Sequence, residues 1–391
     1  MRMGLEVCLA KPPDFLARAR FGLLLNQASV DGQFRYSCDV LAERFPDQLV
    51  ALFSPQHGLW GEQQANMIES PHRCYEPLTL PIYSLYSETR RPTAEMLRSL
   101  DAFVIDLQDV GTRVYTFVWT MLNCLQACAE ADIPVVILDR PNPLGGEIFE
   151  GPLLKTGFES FVGLASIPLR HGLTMAELAL LLNHEQRIGA RIEVVRMEDW
   201  QRGHLWPDTG RAWLPTSPNM PRFETAVVYP GQVLLEGTNL SEGRGTTLPF
   251  EVCGAPFLDP FRLAKELAAF DLPGLQPRPI RFVPTFDKWR GQSCGGIAWH
   301  VTDPRAVRSV QSTLPFLAVA QRLAPNEFAW TAPPYEYETV KQPIDILWGS
   351  SRLREHFAQA TLSPDHISLL SMASAEEAEW SARTEPFRLY A

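Results

Sequence analysis

The chain has 391 residues, beyond the size at which a single core usually stops growing, so two domains are expected. With 46% apolar and 20% charged residues it has the composition of an ordinary globular protein and leaves no room for a long disordered stretch. Its formal net charge of −10 speaks against a nucleic-acid binder, whose affinity rests on an excess of Lys and Arg, and fits a neutral or cationic partner better, with room for an anion only in a local basic cleft.

The opening residues, MRMGLEVCLAKPPDFLARARFGLLLNQ, show no cationic stretch followed by a clean apolar run and a small-residue cleavage site. No segment approaches the roughly 20 apolar residues of a membrane span, so a cytoplasmic protein is expected. Four short apolar runs then recur: FGLLLN (21–26), LVALFS (49–54), AFVIDLQD (102–109) and PVVILDRP (134–141). Helical spacing fills the gaps between the later runs, as in TAEMLRSL (93–100) behind Thr93 and TFVWTMLNCLQACAEAD (116–132). LTMAELALLLNHE (173–185), with Thr174 as its cap, precedes a further strand, RIEVVRM (191–197). Near-continuous apolar strands alternating with amphipathic helices predict a parallel sheet covered on both faces, an α/β, Rossmann-like doubly wound domain over 1–205. Past residue 205 the text fills with Pro, Gly and Trp. Mixed segments follow at 225–231, 260–270, 280–286, 295–302 and 307–325, predicting a smaller α+β domain over 206–391 that completes a cleft. The seven cysteines are scattered, with no CxxC pair and no Cys/His cluster of zinc spacing, so reduced thiols and no metal are expected.

Loops leaving the carboxyl ends of parallel strands form the ligand crevice of such a sheet. The loop after the second strand carries Gln56, His57, Glu62, Asn66 and Glu69. The next holds Asp106, Gln108, Asp109, Arg113 and Tyr115, and the one after it Arg140 and Asn142, an amide fixed between two prolines. His171 precedes a helix. In the second half, SPNMP carries Asn219, and LLEGTNLSEGRGTTLPFE carries Glu236, Asn239, Glu242 and Arg244 among glycines. Neither GxxxxGK[ST] nor a GxGxxG opening a helix is present, so no nucleotide cofactor is expected. Carboxylates beside Arg and Asn suit a polyol, because sugars are cleaved by paired carboxyl groups. For each residue taken alone, a cap, a turn or an internal ion pair is an equally good account.

The ordered blocks NQASVD, FSPQHGLWGE, LPIYSLYSETRRPTAEML, DLQDVGTRVYTF, LDRPNPLGGEIFEGPLL, FESFVGLASIPLRHGLTMAELA, SPNMP and EGTNLSEGRGTTLPFEVCGAPF closely resemble the exo-β-N-acetylmuramidase family. The resemblance implies a Rossmann-like domain joined to an α+β domain, an active site in the cleft, and release of N-acetylmuramic acid from the non-reducing end of peptidoglycan fragments. Recycling of wall fragments is the expected setting, with no cofactor. Asn26 in NQASVD joins the sugar-binding set on this ground. Where this sequence has Gln56 the family carries a glutamate, its proposed catalytic carboxyl, and a carboxamide cannot exchange a proton near neutral pH. Glu62 or Glu69, with Glu236 or Glu242 facing them, are then the expected carboxyls, and an altered or inactive protein that binds wall amino sugars is the alternative. Asp106 or Asp109 beside Tyr115 suits polarisation of the 2-acetamido group, and Arg113, Arg140 or Arg244 suits the lactyl carboxylate.

Overall fold

A computed structural model describes residues 1–63, 68–359, 371–374 and 376–391. Each apolar run becomes a strand whose alternate side chains enter different layers. In β1 (Phe21–Leu25), Phe21, Leu23 and Leu25 join one apolar cluster and Leu24 another. β2 (Leu49–Ser54) divides in the same way, Leu49 and Leu52 from Ala51 and Phe53. β3 (Arg73–Tyr75) and β4 (Leu80–Ser84), two strands not expected from periodicity, extend the sheet on this side. On the other side come β5 (Ala102–Asp106), β6 (Val135–Leu138) and β7 (Ile192–Val195). The order is β3-β4-β2-β1-β5-β6-β7, parallel throughout except for the edge strand β3.

Helices cover both faces, as double apolar layers require. The short helices α1 (Gly4–Ala10) and α2 (Ser37–Arg44) cover one through Leu5, Cys8, Cys38 and Leu41. The expected helix at 93–100 shrinks to α3 (Ala94–Leu97), capped by Thr93, which with α4 (Phe117–Glu130) and α5 (Met175–Glu185) covers the other. Thr174 caps α5 in a capping box with Glu177, as its sequence signal predicts. The strand order reverses between β1 and β5, and the ligand crevice of such a sheet lies outside the carboxyl ends of the strands around that point.

The second, smaller sheet is antiparallel, β8 (Val252–Ala255), β10 (Cys294–Val301) and β9 (Leu275–Phe282) in that spatial order. Pro277 and Pro279 lie in β9, an edge strand, where a missing ladder donor is tolerated. Residues 225–231, read as part of a mixed region, lie inside α6 (Phe223–Gln232). Gly231 is required there because a Cβ would sit 2.1 Å from the Ser309 carbonyl at the start of α8 (Ser309–Leu323). Between them, α7 (Pro260–Leu267) packs on the small sheet. One apolar cluster runs without a break from Phe53 and Phe103 through α4, α6 and α8 to Ile297 and Trp299, joining the two sheets. The seven cysteines are free thiols, and among the described residues no helix is long and apolar enough to cross a membrane.

Two polar ties lock the halves. The fully buried Glu150 carboxylate accepts from the amides of Ser309, Val310 and Gln311 at 3.1, 3.1 and 3.3 Å, serving the N-terminal turn of α8, with Arg170 at 3.6 Å. Glu150→Ala leaves three amides of α8 without their acceptor and takes the counter-charge from Arg170, so urea unfolding should show a loss of about 3 kcal/mol. The C-terminal segment returns to the first sheet, where Tyr390 donates to Asp139 at 2.6 Å and accepts from the Met197 amide at 3.0 Å.

Candidate functional site

A solvent-open pocket of about 470 Å³ lies where the loops after β2 and β5 face the segment following α6 and the loop at 331–342. Gln56 and His57 enter it from β2, Tyr115 and Thr116 from the turn into α4, and Asn219 from the long connection. The other wall carries Glu236, Arg244, Tyr335 and Glu336.

Charge is concentrated on that second wall. Arg244 donates to Glu236 at 2.8 Å, its Nε lies 3.4 Å from Glu242, and it stacks on Phe250 at 5.1 Å. Glu242 also takes Lys288 at 3.0 Å, so two carboxylates face two cations. Burial works against the Arg244 charge, but the two glutamates more than offset it and raise its pKa. Tyr335 donates to Glu236 at 2.5 Å.

Glu336 is different. It is 4% exposed, and its hydrogen bond is with Tyr86 at 3.3 Å. Burial, and then the Glu236 carboxylate, pushes its pKa up to about 7. Gln56 stands behind Tyr86: its Oε1 accepts from Thr116 at 2.7 Å and its Nε2 donates to the Tyr86 hydroxyl at 3.2 Å. His57 has a left-handed backbone, φ 74°, and its Nδ1 bonds the Gln63 carbonyl at 2.6 Å. A carbonyl only accepts, so Nδ1 carries the hydrogen and Nε2 is a lone-pair acceptor. Burial lowers the His57 pKa to about 4, keeping the ring neutral.

The structure thus brings Gln56, His57, Tyr115, Asn219, Glu236 and Arg244 together around the pocket, with Glu242 directly behind Arg244. The other expected residues are occupied elsewhere. Glu62 pairs with Arg73 at 3.0 Å and Glu69 with Arg90 at 3.2 Å, both at the surface, so neither lines the pocket as a catalytic carboxyl; Asn66 lies outside the described residues. Asp106 and Arg140 hold each other in a buried fork at 2.6 and 2.9 Å. The Asn26 side-chain amide donates to the Gln108 carbonyl and accepts from the Gln108 N–H, and the Gln108 side chain donates to the Pro141 carbonyl. Arg113 does not line the pocket, and its guanidinium donates to the carbonyls of Pro152, Ile167 and Leu347. Asp109 sits 3.4 Å from the buried His171, Asn142 closes its own turn onto Leu144 and Leu173, and Asn239 serves Glu327 and Ala329. For the buried residues among these the cause is shared: the strand-end loops are roofed by later chain, and polar groups cut off from water turn to partners within the protein.

Sequence reasoning missed Tyr86, Thr116, Tyr335 and Glu336. Glu336 lies in APPYEYE, a segment with neither helical nor strand period, and its one signal is a glutamate flanked by two tyrosines behind a proline pair.

Comparison with known proteins follows the same lines. The N-terminal model of exo-β-N-acetylmuramidase NamZ matches residues 21–224, and the C-terminal model matches 227–390. The peptidoglycan β-N-acetylmuramidase NamZ of Bacillus subtilis (strain 168) is 43% identical over 328 residues, 84% of this chain and 79% of that one. A crystal structure of a DUF1343 family protein from Bacteroides fragilis NCTC 9343 superposes with a TM-score of 0.88 at 30% identity, covering 100% of this chain and 99% of that one. A second from the same organism gives 0.75 at 25% identity, over 100% and 98%.

Proposed function

The chain belongs to the exo-β-N-acetylmuramidase NamZ family, and we propose that it hydrolyses the β-glycosidic bond that holds a terminal N-acetylmuramic acid at the non-reducing end of peptidoglycan fragments. The observation that carries this reading is a pair of buried carboxyls, Glu236 and Glu336, on one pocket, the first ion-paired with Arg244 and the second hydrogen-bonded to a tyrosine. Glycoside cleavage needs one carboxyl group that gives up a proton and a charge that favours the cationic sugar in the transition state. Glu236, fixed by Arg244 and Tyr335, supplies negative charge at a set place. The neutral His57 and the Asn219 amide supply hydrogen-bonding groups for sugar hydroxyls and the acetamido group.

The direct test is the purified protein with a chromogenic β-N-acetylmuramide and its N-acetylglucosaminide counterpart. Turnover of the muramide at a rate at least about tenfold above that of the glucosaminide is expected, since a site built for a polar substituent rejects the analogue lacking it. Absence of muramide turnover by the well-folded protein sinks the reading.

A further inference from the structure

We infer that Glu336 is the proton donor to the leaving glycosidic oxygen, and that Gln56 and Tyr86 are positioning residues that aim a hydrogen-bond chain at its carboxyl. The inference deepens the glycosidase reading and rests on it.

The geometry supplies a direction for this chain. Gln56 accepts from Thr116 through Oε1 and donates through Nε2 to the Tyr86 hydroxyl oxygen, so the hydroxyl hydrogen is left for Glu336 Oε2, 3.3 Å away. An ionised glutamate at position 56 has no hydrogen to give and would draw the tyrosine hydrogen toward itself. An amide there sends it the other way. With Oε2 accepting from Tyr86, the proton of the neutral acid resides on Oε1. Three further facts agree. Glu336 lines the pocket while being 4% exposed, so the proton is shielded from bulk water yet reachable by a bound ligand. Its backbone, φ 44°, and that of Tyr337, φ 68°, are left-handed, a costly arrangement of the kind that gathers at working sites. The acid's pKa of about 7 is suited to giving and retaking a proton near neutrality.

In the step, the bond between the anomeric carbon and the leaving oxygen breaks, its electron pair passes to that oxygen, and the oxygen takes the Glu336 proton. One water adds its oxygen to the anomeric carbon, and the proton it sheds returns to the Glu336 carboxylate. The sum is hydrolysis, with the enzyme unchanged. Glu62 and Glu69, which do not line the pocket, are not needed.

The test compares two muramides: a disaccharide, whose sugar alkoxide must be protonated to leave, and a 2,4-dinitrophenyl muramide, whose phenolate leaves unaided. Glu336→Gln should lower kcat/KM on the disaccharide by about 100- to 10,000-fold, the usual worth of a general acid. Its kcat/KM on the dinitrophenyl substrate should stay within about tenfold of the wild type, because kcat/KM reports the steps up to irreversible loss of the phenolate, which needs no proton. In the wild type, kcat/KM on the disaccharide should fall as pH rises through about 7, where the acid loses its proton. Tyr86→Phe removes a hydrogen bond that favours the ionised form, so it should move that fall to higher pH. These wild-type and Tyr86→Phe profiles decide the matter even where Glu336→Gln does not fold. Equal loss on both substrates, no loss on either, or a fall in rate that Tyr86→Phe leaves in place overturns the assignment while leaving the muramidase reading intact. A wild type that cleaves neither muramide overturns the reading itself, and the assignment with it.

Discussion

Replacing Arg244 by methionine should lower kcat/KM for muramides by about 100- to 1,000-fold, the range found when one fixed electrostatic donor is lost from an active site. It should also weaken the fold by about 3–5 kcal/mol in urea unfolding, because breaking a buried pair leaves an uncompensated charge. Here Glu236 and Glu242 would share Lys288 as the one remaining cation of the cluster, which lies 3.0 Å from Glu242. The size of the effect comes from burial, with Arg244 7% exposed and Glu242 2% exposed. Since the cluster balances two cations against two carboxylates, the guanidinium has no surplus charge to offer a substrate. Binding of N-acetylmuramic acid and of N-acetylglucosamine should therefore weaken alike. A much larger loss for the muramyl sugar in calorimetric titration would instead assign Arg244 to the lactyl carboxylate.

The second large effect belongs to a pair that resembles a ligand site and is none. Asp106→Asn keeps the shape but leaves the fully buried Arg140 guanidinium without its counter-charge, and an unfolding loss of about 3–5 kcal/mol is expected. Asp106→Asn combined with Arg140→Met should recover much of that, since an apolar pair of similar volume often replaces a buried ion pair without cost. KM for muramides in the single variant should match the wild type, because neither residue lines the active pocket. A raised KM with unchanged unfolding would restore the substrate-binding role that the sequence suggested.

Asp106 shows why the site was only half legible. Its type and its place at the end of β5 are those of a catalytic carboxylate, and nothing in the local sequence says that Arg140, 34 residues on, will close over it. The same blindness affected Gln108, Asn142 and Arg113, whose partners are backbone carbonyls delivered by distant loops. Gln56 and His57 were legible because their loop follows the unbroken apolar run of β2, and Glu236 and Arg244 because carboxylates beside Arg among glycines suit a polyol; all four line the pocket. Glu336 was not, since its meeting with Tyr86 spans 250 residues and its own segment has no period to anchor a prediction. The fold divides in a parallel way. β1, β2, β5 and β6 announce themselves by unbroken apolar runs, while three-residue β3 is too short to show a period. In β9 the prolines that suit an edge strand also disguise it. The helix α6 was obscured by its own Pro230 and Gly231, which look like a turn and are there for close contact with α8.

The tail that docks on the first sheet bears on the order of events during synthesis. Tyr390 meets Asp139 across 251 residues, and Asp139 sits directly after β6 in the middle of the sheet-forming half. At translation rates of about 5–20 residues per second, that partner emerges roughly 10–50 seconds after the strand it seals. For that interval the nascent sheet exists with its Asp139 pocket open and its apolar flank toward α6 and α8 uncovered. Until the second half arrives, the first half lacks the cover for that apolar flank, the condition under which partly folded chains are prone to aggregate.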